Sequence, residues 1–244
     1  AKPILLAFSG GLDTSFCVPW LAETYGRPVV TLTVDTGSID AATARMLEQR
    51  SKELGAVAHH LVDARAAYFE QVIKYLVMGN VRRGNLYPLC VGAERVLQAQ
   101  TVAQWARKLG TDAIAHGSTA AGNDQVRFEV ALRTLAPELE ILAPVRDHAF
   151  KRPDQLAYLQ ERKLPVPPFG AAYSVNRGLW GTTIGGKETL VSDGCIPDDA
   201  WVPVQYPGAV LDPDTGALIS DAQVSKVEYT AFADSRYEIT ATLI

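Results

Sequence analysis

Nearly continuous apolar stretches alternate along the chain with stretches in which apolar residues recur every three or four positions. The first pattern predicts buried strands, and the second predicts amphipathic helices. The predicted strands, in chain order, are PILLAFS, PVVTLTVD, VAHHLVDAR, DAIAHGST and EILAPVRD. Helices are predicted between them, and the first, SFCVPWLAETYG, ends at Gly26 and has Pro19 in its early turns. This alternation predicts an α/β fold, in which helices cover both faces of a parallel sheet.

The pattern changes near Pro165, within the proline-rich segment LPVPPFG. We therefore predict two domains, residues 1–165 and residues 166–244, of which the second is smaller. Turn-rich sequence follows the prolines, and the last segment, VEYTAFADSRYEITATLI, alternates in the manner of strands. The second region is therefore expected to be α+β.

Composition narrows the class of protein. The 244 residues are 48% hydrophobic and 20% charged, which is typical of a soluble globular chain. The net charge is −4 and the sequence contains no dense basic cluster, so no contact with nucleic acid is expected. The cysteines Cys17, Cys90 and Cys195 lie far apart and form no CxxC pair, so we expect no disulfide framework, no zinc cage and a cytoplasmic location. No apolar stretch is long enough for a membrane span, so no membrane contact is expected.

The segment SGGLDTS, from Ser9 to Ser15, follows the first predicted strand directly. Gly10 and Gly11 let backbone N–H groups approach an oxyanion without a Cβ in the way, and the following helix presents its N-terminus. The hydroxyl groups of this segment add further donors, so we name it the phosphate loop. Asp13 fits such a loop either beside Mg²⁺ or as the cap of the helix. The simpler alternative is a tight strand-to-helix turn that holds no ligand.

A second polar segment, HGSTAAGNDQVRFE, follows the fourth predicted strand and includes His116 and Thr119. The carboxyl ends of parallel strands lie at one edge of the sheet, so this segment and the phosphate loop are expected to face one site. Asn123 can donate and accept, Asp124 suits an amine, and Arg127 can form a bidentate pair with a carboxylate. These residue types suit an amino-acid substrate. The alternatives are that Asn123 or Asp124 only caps a helix, and that His116 is either structural or in contact with a nucleotide.

The phosphate loop resembles the signature of the N-type ATP pyrophosphatases, the PP-loop enzymes, which cleave ATP between its α- and β-phosphates. Together with the second segment and with GNLYPLCVGAERVL, YSVNRGLWGTTIGGKETL and LTVDTG, it closely resembles the argininosuccinate synthetase family over residues 1–199. The resemblance implies an adenine nucleotide alpha-hydrolase-like fold for residues 1–165 and part of a substrate domain for residues 166–244. It implies a ligase that joins citrulline to aspartate through a citrullyl-adenylate and releases pyrophosphate and AMP. It also implies ATP with Mg²⁺ and a homo-oligomer.

This resemblance implies residue roles, carried over position by position. For ATP, the implied residues are Ala7, Phe8, Ser9, Gly10, Gly11, Leu12, Asp13, Thr14, Ser15, Val34, Gly117, Thr119 and Asp124. For citrulline, they are Tyr87, Asn123, Arg127, Ser174 and Thr183. For aspartate, they are Thr119, Asn123 and Asp124. The implied catalytic residues are Asp13, Asp124 and Arg127, and no residue is assigned to a resident metal.

Some positions differ from many relatives in the family. Ala121 stands where they have a Lys, for which Lys187 is a candidate substitute. Gly185 stands where some have a citrulline-contacting Glu, and Asn176 where many have an Asp that touches ATP. From Trp201 onward no convincing match to the family is found. Two alternatives stay open: a PP-loop ligase with a different amino-acid-like or ureido acceptor, and a nucleotide-binding homologue without turnover.

Overall fold

The structure is a computed structural model. It describes residues 1–85, 87–119, 124–168 and 173–186, together with the strand segments 210–211, 218–219, 224–231 and 237–243. Only the backbone is described at residues 124, 125, 173, 174 and 186 and in the strand segments beyond residue 200. The chain divides into two compact units, Ala1–Thr183 and Ile184–Ile244. The predicted domain boundary at residue 165 stays a prediction.

The first unit is built on a parallel sheet. Its strands are β1 (Ile4–Ala7), β2 (Val29–Asp35), β3 (Ala58–Asp63), β4 (Ala113–His116) and β5 (Glu140–Leu142). Within the described residues the strand order is β3–β2–β1–β4–β5, and every neighbouring pair is parallel. The central strand β1 pairs on both sides, so that Ala7 lies between Leu32 and His116. The predicted parallel sheet is confirmed.

Helices connect these strands. The described ones are α1 (Leu12–Tyr25), α2 (Ala41–Glu53), α3 (Arg65–Tyr68), α4 (Lys74–Met78), α5 (Cys90–Leu109), α6 (Asp124–Leu135), α7 (Pro144–Asp147) and α8 (Arg152–Glu161). A π-helical segment, Phe69–Ile73, joins α3 to α4, so this part of the chain is not a regular α-helix. α1 ends at Gly26, which has a φ of 59° and supplies the left-handed conformation common at helix ends.

The side chains of β1 show why both faces of the sheet are covered. Ile4, Leu6 and Phe8 belong to an apolar cluster with residues of α1, α2 and α8, whereas Leu5 belongs to a second cluster with residues of α5 and α6. Successive side chains of a strand point to opposite faces, so a continuous apolar strand requires cover on both sides. The prediction of helices on both faces is confirmed.

The start of α1 differs from the sequence prediction. The helix begins at Leu12 rather than at Ser15, because the chain turns at Gly10 and Gly11 already serves as the N-cap. Pro19 therefore lies in the middle of α1, whereas the sequence predicted it in the early turns of the helix. The whole LDTS segment consequently forms the first turn of the helix.

The fifth predicted strand is also shorter than expected. EILAPVRD was predicted to be one strand, but β5 ends at Leu142 and α7 begins at Pro144. Proline has no N–H to donate to a strand ladder, and its fixed φ suits the first position of a helix. The apolar pattern alone therefore predicted too long a strand.

The remaining described elements are strands. β6 (Tyr173–Gly178) and β7 (Gly181–Gly186) form a two-stranded sheet. In the second unit, β8 (Val210–Leu211) pairs antiparallel with β9 (Leu218–Ile219), and β10 (Val224–Ala231) pairs antiparallel with β11 (Tyr237–Leu243). The strand-like alternation at the end of the sequence is confirmed. Among the described helices, none has both the length and the apolar character that a membrane crossing requires.

Candidate active site

The phosphate loop leaves β1 through an abrupt turn at Gly10. This residue has a φ of 74°, and a Cβ added to it would overlap Leu47 Cδ2. Arg50 of α2 donates from Nη1 to the Gly10 carbonyl oxygen at 2.6 Å, which holds the turn from the side. The left-handed backbone conformation thus favours glycine here, and any larger residue would also displace the Leu47 side chain.

The N-terminus of α1 opens beside this turn. No side chain caps it, since its N-cap is Gly11. The Thr14 hydroxyl instead lies 3.3 Å from the Gly11 carbonyl oxygen and 3.2 Å from Ser9 Oγ. Gly117 packs against the same turn, where a Cβ would come within 3.0 Å of the Thr14 backbone nitrogen. Uncapped amides at the positive end of a helix dipole form a site for an anion such as phosphate.

Asp13 is held from outside its own helix. It is the second residue of α1, so it is not the N-cap that one interpretation of the sequence allowed. Gln155 of α8 donates from Nε2 to Asp13 Oδ1 at 2.9 Å. The Asp13 charge also helps to raise the pKa of the Cys17 thiol, although the larger cause is burial of that thiol. Cys17 is therefore a neutral core residue.

A cavity of about 630 Å³ lies where β1, β2 and β4 end. Its lining also includes residues of α1, α2, α5, α6 and β6. The lining residues that carry a predicted role are Ala7, Phe8, Ser9, Gly11, Asp13, Thr14, Val34, Gly117 and Asn176. Open parallel sheets bind ligands at this edge, and the volume falls in the range of small-molecule sites, roughly 300–1,000 Å³.

A second wall of the cavity is formed by α5 and β6. Glu94 is 4% exposed, and its Oε2 accepts a hydrogen bond from Thr36 Oγ1 at 2.9 Å. Arg95 donates to Gln98 Oε1 at 2.8 Å and to Asn176 Oδ1 at 3.3 Å. These bonds tie the end of β2 and the strand β6 to one face of α5. Carboxylate, amide and guanidinium groups in this wall can pair with hydroxyls and polar ring edges of a ligand.

The turn between β6 and β7 packs on the loop that follows β2. The Leu179 backbone nitrogen donates to the Thr36 carbonyl oxygen at 2.7 Å. A Cβ on Gly37, whose φ is 113°, would lie 2.7 Å from that same nitrogen, so only glycine permits the approach. Asp35 Oδ1 accepts from three consecutive backbone N–H groups at residues 37–39, and this carboxylate therefore sets the loop's shape.

Two predicted citrulline residues, Tyr87 and Arg127, lie beside the first turn of α5. The Tyr87 hydroxyl accepts from the Val91 backbone nitrogen at 3.1 Å. The Arg127 guanidinium, from α6, lies 3.5 Å from the point where a Cβ of Gly92 would stand, so the missing side chain lets it reach this helix. A guanidinium beside the positive end of a helix suits a carboxylate ligand.

Trp180 fixes the chain segment that carries Tyr87. Its Nε1 donates to the Pro88 carbonyl oxygen at 2.6 Å. In the same turn, a Cβ on Gly181 would lie 3.0 Å from the Cys90 sulfur. Burial is the main cause that raises the pKa of Cys90, so its thiol stays protonated at pH 7. The β6–β7 turn thus contacts both the loop after β2 and the start of α5.

His116 ends β4 at the cavity and is 2% exposed. Its Nδ1 accepts from the Ser118 backbone nitrogen at 3.4 Å, while Nε2 has no hydrogen-bond partner within the described residues. Burial lowers the pKa of His116 to about 4, so the imidazole is neutral at pH 7. Its ring contacts Phe128 edge to face, with centroids 5.7 Å apart.

Some predicted ATP residues support the phosphate loop from beneath. Leu12 joins the apolar cluster under α1, and Ser15 is fully buried with no partner for its hydroxyl among the described residues. Because α1 begins at Leu12, these side chains turn inward with the helix. Gly10 shapes the turn by its conformation.

The structure describes some of the predicted acceptor residues and not others. Tyr87 and Arg127 each lie beside the first turn of α5, as described above. Asn123 lies outside the described residues, and so do the side chains of Asp124 and Ser174. The other predicted positions for which nothing is described are Ala121 and Lys187. Thr119 and Thr183 are described but, like Tyr87 and Arg127, are not among the residues that line the cavity. Their assignments stay predictions.

Two residues at this site were missed from the sequence. Gln155 stands one helical turn before buried Leu159 and is buried itself. Glu94 stands between Val91 and Leu97 in the buried register of α5. Neither belongs to a motif, but each is a polar residue where the helical period predicts an apolar one. That mismatch is the sequence feature that would have drawn attention to them.

The sheet order, the glycine turn after the first strand and the cavity at the carboxyl ends define an α/β domain of the adenine nucleotide alpha-hydrolase-like class. A family profile described as arginosuccinate synthase N-terminal HUP domain matches residues 3–165. The chain belongs to this family.

Individual relatives agree with this assignment. An argininosuccinate synthase from Metallosphaera sedula is 37% identical over 86% of this chain and 58% of the relative. One from Pyrobaculum aerophilum is 42% identical over 82% of this chain and 50% of the relative, and one from Xanthomonas campestris is 40% identical over 82% and 53%. The chain therefore spans about half the length of the curated relatives it matches.

A solved structure was also found among the matches. It is described as a predicted subunit of tRNA methyltransferase from Methanocaldococcus jannaschii, with 13% identity and a TM-score of 0.45 over 66% of this chain and 75% of that one. A similarity at this level carries no conclusion about function.

Proposed function

We propose that this chain carries the ATP-binding and citrulline-activating part of an argininosuccinate synthetase. The overall reaction would join citrulline to aspartate, with ATP converted to AMP and pyrophosphate. The observation that supports this most directly is the uncapped first turn of α1, which opens on the cavity between Gly10 and Gly117.

The nucleotide would lie along the ends of β1, β2 and β4. Its phosphates would accept from the backbone N–H groups of the α1 first turn and from the hydroxyls of Ser9 and Thr14. Its nucleoside would lie against Val34 and the polar wall of α5 and β6. The placement of these groups around one cavity of nucleotide size supports this arrangement.

Citrulline would lie nearer the N-terminus of α5. The Arg127 guanidinium would pair with its carboxylate, and Tyr87 would contact it from the segment before α5. Thr119, Asn123 and Asp124, which follow β4, would hold aspartate. The contact of Arg127 with Gly92, close to the helix start that Tyr87 caps, supports this part of the proposal.

The chemistry would run in two steps. The citrulline ureido oxygen attacks the α-phosphorus, the bond from that phosphorus to the bridging oxygen breaks, and pyrophosphate leaves with the electron pair. The aspartate amine then attacks the ureido carbon, the carbon–oxygen bond to the adenylate breaks, AMP leaves, and the new nitrogen loses a proton. The work of the protein in both steps is positioning and stabilisation of charge on the phosphates.

Mg²⁺ would reduce the negative charge on the phosphates while ATP is bound. The residues present fit this ion, because Asp13 offers a carboxylate at the cavity and Mg²⁺ prefers oxygen ligands. The part of the chain that the structure describes contains no cluster of three His, Cys, Asp or Glu side chains suited to a metal. The ion would be held by the nucleotide together with the Asp13 carboxylate, a common arrangement for Mg²⁺.

The proposal is tested by pyrophosphate release from ATP and Mg²⁺ with citrulline alone, aspartate alone, or both. Sustained release is expected only with both amino acids. If pyrophosphate release does not depend on citrulline but requires another ureido or amino-acid-like compound, that compound is the acceptor instead of citrulline. ATP binding without release under any pairing would instead support a nucleotide-binding homologue without turnover.

A further inference from the structure

The buried amide of Gln155 is placed where an apolar side chain would be expected. It lies on the face of α8 that packs on α1, one turn before the fully buried Leu159. Gln155 is itself only 1% exposed. Its Nε2 donates to Asp13 Oδ1 at 2.9 Å, whereas its Oε1 has no hydrogen-bond partner within the described residues.

This arrangement does not serve stability well. A buried carbonyl oxygen without a donor loses its hydration and gains nothing in return. α8 is also fastened to α1 by other contacts. Tyr158 and Arg162 both donate to the Glu23 carboxylate, at 2.8 Å and 2.9 Å, and the Tyr158 ring contacts Phe16. Docking of the helix therefore does not depend on Gln155.

The bond to Asp13 gives the amide a reason to be there. Asp13 Oδ1 receives this bond, and the same carboxylate lines the cavity in the first turn of α1. A neutral amide donor can fix the rotamer of a carboxylate without placing a second negative charge beside it, which another acid could not do. The bond links positions 142 residues apart, so it brings α8 to the phosphate loop.

We propose that Gln155 is a positioning residue, which holds the Asp13 carboxylate oriented toward phosphate-bound Mg²⁺ in the cavity. This rests on the proposed binding of ATP there, but not on the identity of the acceptor. Partners that orient a metal-binding side chain without touching the metal have this role in other sites.

The test compares Gln155→Met with Gln160→Met in the 244-residue chain. Met has a similar shape and no amide, and Gln160 is an exposed residue of the same helix. The affinity for ATP is measured by calorimetry with and without Mg²⁺, and stability is measured by urea unfolding. For Gln155→Met we expect the Mg²⁺-dependent gain in ATP affinity to fall by about tenfold. We expect Gln155→Met to keep the ATP affinity without Mg²⁺ and the unfolding midpoint of the parent chain. The control, Gln160→Met, should match the parent chain in the Mg²⁺-dependent gain, the metal-free affinity and the unfolding midpoint.

Gln155→Glu provides a second comparison of equal size. It replaces the donor by another acid beside Asp13, so we expect a loss of the Mg²⁺-dependent gain at least as large as that of Gln155→Met. An unchanged Mg²⁺-dependent gain in Gln155→Met would overturn the proposal. So would an equal loss with and without Mg²⁺ accompanied by a lower unfolding midpoint, because that result indicates a purely structural role.

The outcome is separable from that of the proposed function. If the parent chain binds Mg²⁺–ATP but releases no pyrophosphate with citrulline and aspartate, the proposed reaction fails while the Gln155 comparison is still decided by the binding data. If the parent chain binds no ATP at all, both proposals are overturned.

Discussion

Two of the helices that line this cavity, α1 and α5, begin in opposite ways. At α1 the N-cap is Gly11, no side chain caps the first turn, and the amides open on the cavity. At α5 the N-cap is Leu89, with a left-handed φ of 65°, and the Val91 amide is already occupied by the Tyr87 hydroxyl. The first helix start offers its backbone to a ligand. The second is closed by a side chain and offers charge from its neighbour Arg127.

The difference has consequences for specificity. Backbone amides and a helix dipole recognise anions in general. They therefore suit a phosphate group without selecting the rest of the ligand. Side chains that converge from separate elements recognise a particular shape and charge pattern. A leucine in a left-handed conformation costs roughly 1–2 kcal/mol, so the start of α5 carries strain that the surrounding contacts must maintain. We expect the α1 side to govern ATP use and the α5 side to govern the choice of acceptor.

The largest effect is expected on the α1 side from Asp13→Ala. Loss of the carboxylate should lower the rate of pyrophosphate release by about 10²–10³-fold, because charge on the phosphates is then less well compensated. The measurement is the steady-state rate at saturating Mg²⁺–ATP. The matched control is Asp112→Ala, since Asp112 pairs with Arg27 at the amino end of β4, on the opposite edge of the sheet. Similar rates in both variants would show that the α1 site works through its backbone alone.

The second effect is a pH dependence from the buried histidine beneath this site. Burial lowers the pKa of His116 from 6.5 to about 4, so between these values the unfolded chain takes up a proton that the folded chain does not. Stability should therefore fall as pH decreases through this window, by about 3 kcal/mol in total. Burial also lowers the pKa of His59, which adds to the slope in the same direction.

The contribution of His116 is isolated by His116→Asn. Urea unfolding measured from pH 7 to pH 4 should give this variant a shallower decline in free energy of unfolding than the parent chain. The exposed residue His148 provides the control, and His148→Asn should retain the parent slope. If His116→Asn has the parent slope, the imidazole is not buried as the structure describes.

The α1 side was predictable from sequence because it is local. The glycines, the hydroxyls and Asp13 stand within a few positions of one another, and an apolar strand precedes them. The contacts that complete the site join distant positions: Arg50 to Gly10 across 40 residues, Thr36 to Glu94 across 58, and Gln155 to Asp13 across 142. No pattern of period two or 3.6 contains such pairings, because they depend on how the helices pack on the sheet.

The boundaries of helices and strands were predicted less accurately than their existence. The parallel sheet was predicted because the strands are continuously apolar, but the start of α1 was placed three residues late and β5 was predicted too long. Both errors came from the apolar pattern, which does not register a glycine cap or a proline at a helix start. The acceptor residues beside α5 were indicated by family resemblance, and the fold adds only that Tyr87 and Arg127 both lie beside the first turn of α5.

A smaller effect is expected on the α5 side from Arg127→Ala. Loss of one charge-assisted pair with the citrulline carboxylate should raise the KM for citrulline by about 10–100-fold and leave the KM for ATP within about twofold. The control is Arg133→Ala, because Arg133 lies on the same helix, is exposed, and pairs with Glu129 at 2.6 Å. A rise in both KM values would mean that the two helix starts do not divide the substrates between them.

The smallest effect tests whether the β6–β7 turn maintains the α5 side. Trp180→Phe keeps an aromatic ring but removes the Nε1 donor to the Pro88 carbonyl oxygen, which costs about 1 kcal/mol of stability. Because Pro88 is next to Tyr87, we expect the KM for citrulline to rise by about two- to fivefold while ATP affinity stays unchanged. Trp105→Phe is the control, since this ring packs on the core of α5 beside His60. If Trp180→Phe alters ATP affinity instead, the turn acts through the loop after β2, where Leu179 bonds to Thr36, and not through α5.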